Sequence, residues 1–505
     1  MSDSKHEDAT YDHVIKCTGL FGGVQGLNLL INVIRNKITS VLLGPQGTGI
    51  ISLLSNFIEL LHHSTDFGIC FSAIKHVSEL FETGDEKQIR TFIVTVRTWC
   101  LMAGLLGMFV ALCIVPFITW TSTTNLLLII PIIGILTVIS GEQAILKGTK
   151  QLKKVAIISI FCTIATLIVT VPLFYLFRYQ GIAAALLANH IAILIITLHY
   201  SSKVYRYGSS IFNFRKADLS YHFHAGIPML VLGIGYVIAG IFGKGAEYVI
   251  RQFILSQHST LEAGDIAVGL YTAGYSIVIT YASYVFTAME VDFFPRLSAA
   301  AHDIRRSNII INQQIEVCAL LMAPLLVGLV LFMPHMIHLL YANNYHAAIP
   351  MAVCAAMCMY FKAFAGPVEY LALAKGDSRM YMFVELAYDV FIAIIIPLSY
   401  KYYGLTGCGI ALSLTGLINF IFVFSLYSYR YKFLFDHRLS TFYVVQFIII
   451  LTTILAVMHG IETERSIIKW TVGPVCLILS SLISARILYR DTTILQAIWN
   501  KLRHR

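Results

Sequence analysis

The stretch Val33-Ile34-Arg35-Asn36-Lys37-Ile38 closes an apolar segment that begins near residue 14. It returns 216 residues later as Val249-Ile250-Arg251-Gln252-Phe253-Ile254, again inside apolar sequence. A guanidinium at membrane depth is costly and persists where it faces a cavity and a partner. Two of them in matching phrases predict a repeated membrane architecture around one central anion site.

Composition supports the membrane reading. Hydrophobic residues make up 57% of the chain and charged residues 12%, against about 25% charged in a soluble domain. That excludes a soluble core. The polar start from Ser2 to Asp12 lacks the small-residue cleavage site of a signal peptide and is expected to be retained. A membrane span needs about 20 mostly apolar residues. About fourteen such stretches are predicted, near 14–35, 48–74, 93–118, 125–146, 155–177, 181–202, 222–244, 266–290, 310–340, 347–371, 380–400, 404–428, 440–460 and 467–488.

Lys and Arg set the orientation. Every second connection is basic, and with the two ends these connections hold 27 of the 36 Lys and Arg residues. Eight fall on the opposite connections and their flanks, and Lys362 lies within a span. By the positive-inside rule both termini are cytoplasmic. The net charge of +9 belongs to loops that face anionic headgroups, and it calls for no nucleic acid.

The first half recurs in the second. Gly49-Ile50-Ile51-Ser52 answers Gly269-Leu270-Tyr271-Thr272 at an offset of 220, and Gln180-Gly181-Ile182-Ala183-Ala184-Ala185-Leu186 answers Gly407-Cys408-Gly409-Ile410-Ala411-Leu412 at about 226. An even number of spans in each half makes this a parallel repeat. The expected organisation is an all-α polytopic membrane protein of about fourteen helices. Residues 1–203 form one six-helix lobe, 204–220 a cytoplasmic linker, 221–432 a second, pseudo-symmetric lobe, and 433–505 two further helices with a cytoplasmic tail.

Four segments carry a family resemblance: Leu42-Leu43-Gly44-Pro45-Gln46-Gly47-Thr48-Gly49-Ile50, Phe294-Pro295-Arg296-Leu297-Ser298, Ala372-Leu373-Ala374-Lys375-Gly376-Asp377 and Tyr403-Gly404-Leu405-Thr406-Gly407-Cys408-Gly409-Ile410-Ala411. In their order and spacing the chain resembles the multidrug/oligosaccharidyl-lipid/polysaccharide exporter superfamily. Within it the best match is the polysaccharide transporter family, the Wzx-type flippases of bacterial oligosaccharide-lipid. The resemblance implies two lobes around a cavity that opens alternately to each side of the bacterial inner membrane. It implies a substrate of oligosaccharide joined by a diphosphate to a polyprenyl lipid, for O-antigen, capsule or exopolysaccharide assembly. Membrane lipids and a polysaccharide polymerase machinery are the expected partners, and the expected state is a monomer. In related murein-precursor flippases an arginine of the first span binds the diphosphate. Arg35, nine residues before Gly44, stands at the matching position.

The residues themselves suggest the same chemistry. A guanidinium forks onto phosphate oxygens with paired charge-assisted hydrogen bonds and stays charged. Arg35 and Arg251 are the expected diphosphate contacts, with Lys37 and Lys244 adding positive potential. Gln25, Asn28, Asn32, Tyr271 and Tyr275 are expected to line the glycan cavity, with Tyr281 and Tyr284 as further candidates. Snorkelling arginines and interfacial or packing tyrosines are the bland alternatives.

Span 2 carries Glu59, His62, His63 and Asp66, with Glu59, His62 or His63, and Asp66 along one helical stripe, span 10 carries Lys362 and Glu369, and span 11 carries Glu385 and Asp389. Such groups either exchange an ion, H+ or Na+, as the cavity alternates, or pair with neighbouring charges in a wet interior. No cofactor is implied. The scattered cysteines read as small buried residues rather than metal ligands.

Three rivals stay open. A cation-coupled drug exporter of the same superfamily would be expected to have twelve spans and fewer cavity cations. A murein-precursor flippase shares the fourteen spans and usually carries more arginines. A polytopic glycan polymerase or acyltransferase needs a sizeable reaction domain, and the longest outer connection here runs only from about Glu247 to Asp265.

Overall fold

The computed structural model describes residues 2–203, 237–281, 296–463 and 466–491, with isolated residues between 283 and 294. The linker expected at 204–220 lies outside them. The described chain consists of α1 (Ser2–Thr65), α2 (Ile69–Thr83), α3 (Glu86–Ile114), α4 (Thr123–Gly148), α5 (Leu152–Phe177), α6 (Ile182–Ser202), α7 (237–256), α8 (Leu261–Tyr275), α9 (Ile304–Leu340), α10 (Ile349–Ala374), α11 (Ser378–Tyr431), α12 (Ser440–Glu462) and α13 (Ser466–Asp491). It is an all-α multi-pass membrane protein.

Among the described residues, ten helical stretches are long and apolar enough to cross a membrane. Three are too long for one crossing. The stretch Gly26–Thr65 has 40 residues, Leu152–Ser202 has 51 and Ser378–Tyr431 has 54, while about 20 suffice for a hydrocarbon core. Each divides at a turn. Gly44 takes φ 62° and ψ −169°, and Gly404 takes φ 60° and ψ −148°. Only glycine adopts such backbone without cost. A short 3-10 turn at Arg178–Gly181 divides the third stretch. Counting these three twice gives thirteen crossings among the described residues.

The turn at Gly404 reverses the chain within a few residues. Ser399 Oγ donates to the carbonyl of Gly407 at 2.8 Å. Eight residues of straight helix would separate them by about 12 Å. A Cβ on Gly407 would lie 2.5 Å from the Ser399 carbonyl oxygen and 2.7 Å from Tyr403 Cβ. Gly181 backs onto Phe177 in the same way, four residues earlier in sequence. These are the two glycines that the internal repeat aligned.

Side-chain caps set the starts of α3, α9 and α11. Asp85 accepts from the amides of Lys87 and Gln88 at 3.0 and 3.1 Å, Asp303 from Arg306 at 3.0 Å and Asp377 from Met380 at 3.2 Å. Each satisfies amides that the first helical turn leaves without partners.

The described chain forms two compact units, Met1–Val268 and Gly269–Arg505. In the first, Leu54, Phe57 and Ile58 of α1 pack with Ile129, Ile132 and Ile133 of α4 and with Ala183 and Leu186 of α6. In the second, Phe361 and Phe364 of α10 stack with Phe420 of α11, and Phe364 also meets Tyr443 of α12. Between α12 and α13, fully buried Gln446 donates to the Ser480 carbonyl and to Ser484 Oγ, both at 3.1 Å. Its Oε1 accepts from Ser480 Oγ at 2.7 Å. Long apolar side chains such as Leu105 and Phe109 face outward, as lipid contact requires.

Candidate functional site

In the first unit α7 lies against the second half of α1 and is joined to it by a ladder of polar contacts. Arg251 Nε donates to Ser52 Oγ at 2.8 Å, Asn56 Nδ2 to Glu247 Oε2 at 3.4 Å, and Lys244 Nζ lies 2.8 Å from Glu59 Oε2. Glu247 ties the rungs together. It lies 3.4 Å from Lys244 and from Arg251, and its carbonyl accepts from Arg251 Nη1 at 3.0 Å. Arg251 and Lys244 are both expected diphosphate contacts. In the structure both stand beside protein carboxylates, and Arg251 is only 4% exposed. The missed residue is Glu247. Its spacing of three from Lys244 and four from Arg251 on one helix was the available signal.

A cavity of about 410 Å³ opens beside this ladder. Its wall brings together Glu59, His62, His63 and Asp66, the stripe expected from span 2, and adds His190 of α6. His62 Nδ1 lies 3.1 Å from Thr137 Oγ1, and buried Asp66 accepts from Cys70 Sγ at 3.3 Å. The expected span 48–74 is not one helix, however. It breaks after Thr65, because Phe67 and Gly68 take φ 51° and 65°. Asp66 therefore stands at the end of a broken helix, a usual place for ion and substrate contacts in transporters.

A second cavity of about 520 Å³ adjoins the first, sharing Gln143 and Lys147 of α4 as lining. Arg35 and Asn32 of α1 are on its wall, with Ser159, Thr163 and Thr166 of α5 opposite. Arg35 and Lys147 are cations, and no carboxylate is among the described lining residues. Asn28 does not face the opening. It is buried and knits α1 to α5, donating to Ser159 Oγ at 2.7 Å and accepting from Thr163 Oγ1 at 3.0 Å. Lys37 is half-buried and lines neither cavity. Gln25 lies outside the residues whose side chains are described.

The second unit has its own charged cavity, about 150 Å³, where Lys362, Glu369 and Glu385 meet Tyr370 and Tyr381. Glu369 Oε1 accepts from Asn419 Nδ2 at 2.9 Å. Asp389, one turn beyond Glu385, is half-buried and is not among the lining residues. Tyr271, expected on an open wall, is 1% exposed and stacks on half-buried Tyr275, with ring centroids 5.8 Å apart. Its packing excludes the solvent contact that a glycan wall needs. Tyr281 and Tyr284 lie outside the described side chains. Among the described residues no group of three His, Cys, Asp or Glu side chains is placed to hold a metal ion.

Sequence reasoning also missed a buried ion pair. Arg97 of α3 meets Glu142 of α4 through Nε to Oε1 at 2.7 Å and Nη2 to Oε2 at 2.9 Å. Ser201 of α6 donates to the same carboxylate. Arg97 lies within α3 at 5% exposure.

Comparison with known proteins places this geometry. The family model described as "Polysaccharide biosynthesis protein" matches residues 39–350. No curated protein matches the chain. Among solved structures, the chain is similar to an inward-facing multidrug resistance MATE family transporter of the MOP superfamily. The TM-score is 0.66 at 12% identity, over 81% of this chain and 94% of that one. It is similar to the lipid II flippase MurJ in an inward closed conformation, with TM-score 0.58 at 17% identity, over 94% of this chain and 99% of that one. A MOP superfamily transporter from Pyrococcus furiosus gives TM-score 0.53 at 13% identity, over 83% and 94%. At these identities the likeness is one of fold. With more than half of its length matched by the family model, the chain belongs to the polysaccharide biosynthesis protein family and has the fold of the MOP superfamily transporters.

Proposed function

We propose that the protein is a flippase that carries polyprenyl-diphosphate-linked oligosaccharide across the bacterial inner membrane for surface polysaccharide assembly. The observation that carries this reading is the polar cavity beside α1, with Arg35 and Lys147 on its wall and no carboxylate among its described lining residues. A diphosphate needs fixed positive charge in a wet site, and a glycan needs hydroxyl and amide partners. That cavity offers both. A cation-coupled drug exporter would need negative charge where this cavity is positive.

In this reading residues 1–203 and 221–432 are two lobes that open alternately to either side, both termini are cytoplasmic, and a monomer suffices. Arg35 holds the diphosphate, and the lipid tail stays in the bilayer. Glu59, His62 and Asp66, in the adjoining cavity, are the groups through which H+ or Na+ exchange would drive the cycle. Arg251 and Lys244 act through the ladder, holding α7 against α1.

The test is complementation of a flippase-deficient bacterium. Wild-type protein should restore surface polysaccharide, and Arg35→Ala should leave lipid-linked oligosaccharide at the inner face, where sugar analysis identifies it. Restored peptidoglycan synthesis instead, with lipid II as the accumulating species, would move the substrate to the murein precursor. Loss of drug efflux with no lipid intermediate would overturn the reading.

A further inference from the structure

The cavity beside α1 is a slot rather than a sphere. The hydrogen bonds of Asn28 to Ser159 and Thr163 fix the register of α1 on α5. Lining residues run from Val24 to Arg35 on α1 and from Val155 to Thr166 on α5. At helical rise each run covers about 16 Å. One end lies where α4 finishes and α5 starts, and there stands Lys147, in the last turn of α4 and exposed. Gln143 lies one turn further in on the same face. The other end holds Asn32 and Arg35. Lys147 and Arg35 stand at opposite ends of this run.

Resting on the flippase reading, we propose that Lys147 and Gln143 form a capture station at the mouth of the slot, from which the diphosphate passes to the deep station at Arg35 and Asn32. Charge sorts the path. Lys147 and Gln143 also border the cavity that holds Glu59 and Asp66, so an anion arriving at Lys147 is repelled on one side and drawn on the other along the slot, whose described lining residues include no carboxylate. A cation at a mouth acts on arrival, whereas one at depth acts on retention. The competing role for Lys147 is structural, since a cation in the last turn of a helix complements its dipole. That role would move stability and leave arrival rates alone.

The two roles separate in rapid-mixing kinetics of a fluorescent farnesyl diphosphate analogue with the full chain in lipid nanodiscs, at two ionic strengths. Lys147→Gln should slow association by about tenfold at low salt and flatten its salt dependence, with dissociation unchanged. Lys147→Arg should restore the rate. Arg35→Gln should speed dissociation by about tenfold or more, as expected for a lost charge-assisted hydrogen bond. Lys153→Gln, a nearby exposed charge outside both cavities, should match wild type. Unaltered association in Lys147→Gln beside a weakened Arg35→Gln would overturn the capture station and leave the flippase reading intact. Faster dissociation in Lys147→Gln would also overturn it, because Lys147 would then belong to a single site with Arg35. Wild type that fails to bind the analogue would sink the proposal together with the reading beneath it.

Discussion

Ser52 and Arg251 form one rung of an antiparallel ladder, with Nε to Oγ at 2.8 Å. The other rungs join Asn56 to Glu247 and Glu59 to Lys244. The spacing along each helix is four and three residues, so a slide of one residue breaks every rung. Arg251→Ala leaves Glu247 with one cation fewer inside the protein. Removing one partner of a buried charge pair typically costs about 3 kcal/mol or more. The melting temperature in detergent should fall clearly, and Arg251→Met with Glu247→Met should recover much of the loss. A melting temperature that Arg251→Ala leaves unmoved would contradict the ladder.

The Arg97–Glu142 pair is more deeply enclosed, at 5% and 1% side-chain exposure. Arg97→Ala should cost roughly 3–5 kcal/mol, because the carboxylate stays behind without its bidentate partner. Arg97→Met with Glu142→Leu should return close to wild-type stability, since well-packed apolar residues often replace a buried pair without loss. Thermal unfolding of the single and double variants checks both. Equal damage in the two would show that the charges themselves are needed.

Gly404 sits at φ 60° and ψ −148°, where a side chain is strained. Gly404→Ala should destabilise by about 1–3 kcal/mol. Gly366 has open space around its would-be Cβ inside α10, so Gly366→Ala should be neutral or slightly stabilising. Comparing the two melting temperatures separates the demand of the turn from a general sensitivity to added methyl groups.

Asp377, between α10 and α11, is held by Arg430 Nη2 at 2.6 Å and Tyr431 Oη at 2.8 Å. Burial alone would raise its pKa, but the hydrogen bonds from Arg430, Tyr431 and the Met380 amide hold it below the ordinary carboxylate value. A depressed pKa means that the clasp contributes fully above about pH 4 and fades as pH falls through the native-state value. Arg430 is exposed and Asp377 only half-buried, so the effect is modest. Asp377→Asn should lower the melting temperature by a few degrees at neutral pH, and the gap from wild type should narrow in acid. A gap that persists at low pH would assign the loss to packing rather than charge.

Hydropathy and the alternation of Lys and Arg made the crossings legible, since lipid imposes length and polarity on every span alike. The glycines at 44, 181 and 404 were legible too, because reversing a helix within a few residues leaves few alternatives. The sidedness of a buried cation was harder to read. Arg35 and Arg251 sit in near-identical phrases, yet one lines a slot and the other faces Ser52 and Glu247. Periodicity fixes a helical face, not what packs on it. Arg97 was hidden in the same way, since its partner Glu142 is 45 residues away on another helix. The break at Phe67 and Gly68 left no local sign beyond one glycine in a polar run.

The tight glycine turns carry a mechanical corollary. Helices joined through Gly44, Arg178–Gly181 and Gly404 have no slack between them, so each pair swings as a stiff fork. Compliance at the end of the second crossing then gathers at Asp66-Phe67-Gly68, the interruption that separates α1 from α2. A fork that pivots there carries the Asp66 carboxylate with its bending point, and tilt and charge exposure become a single coordinate.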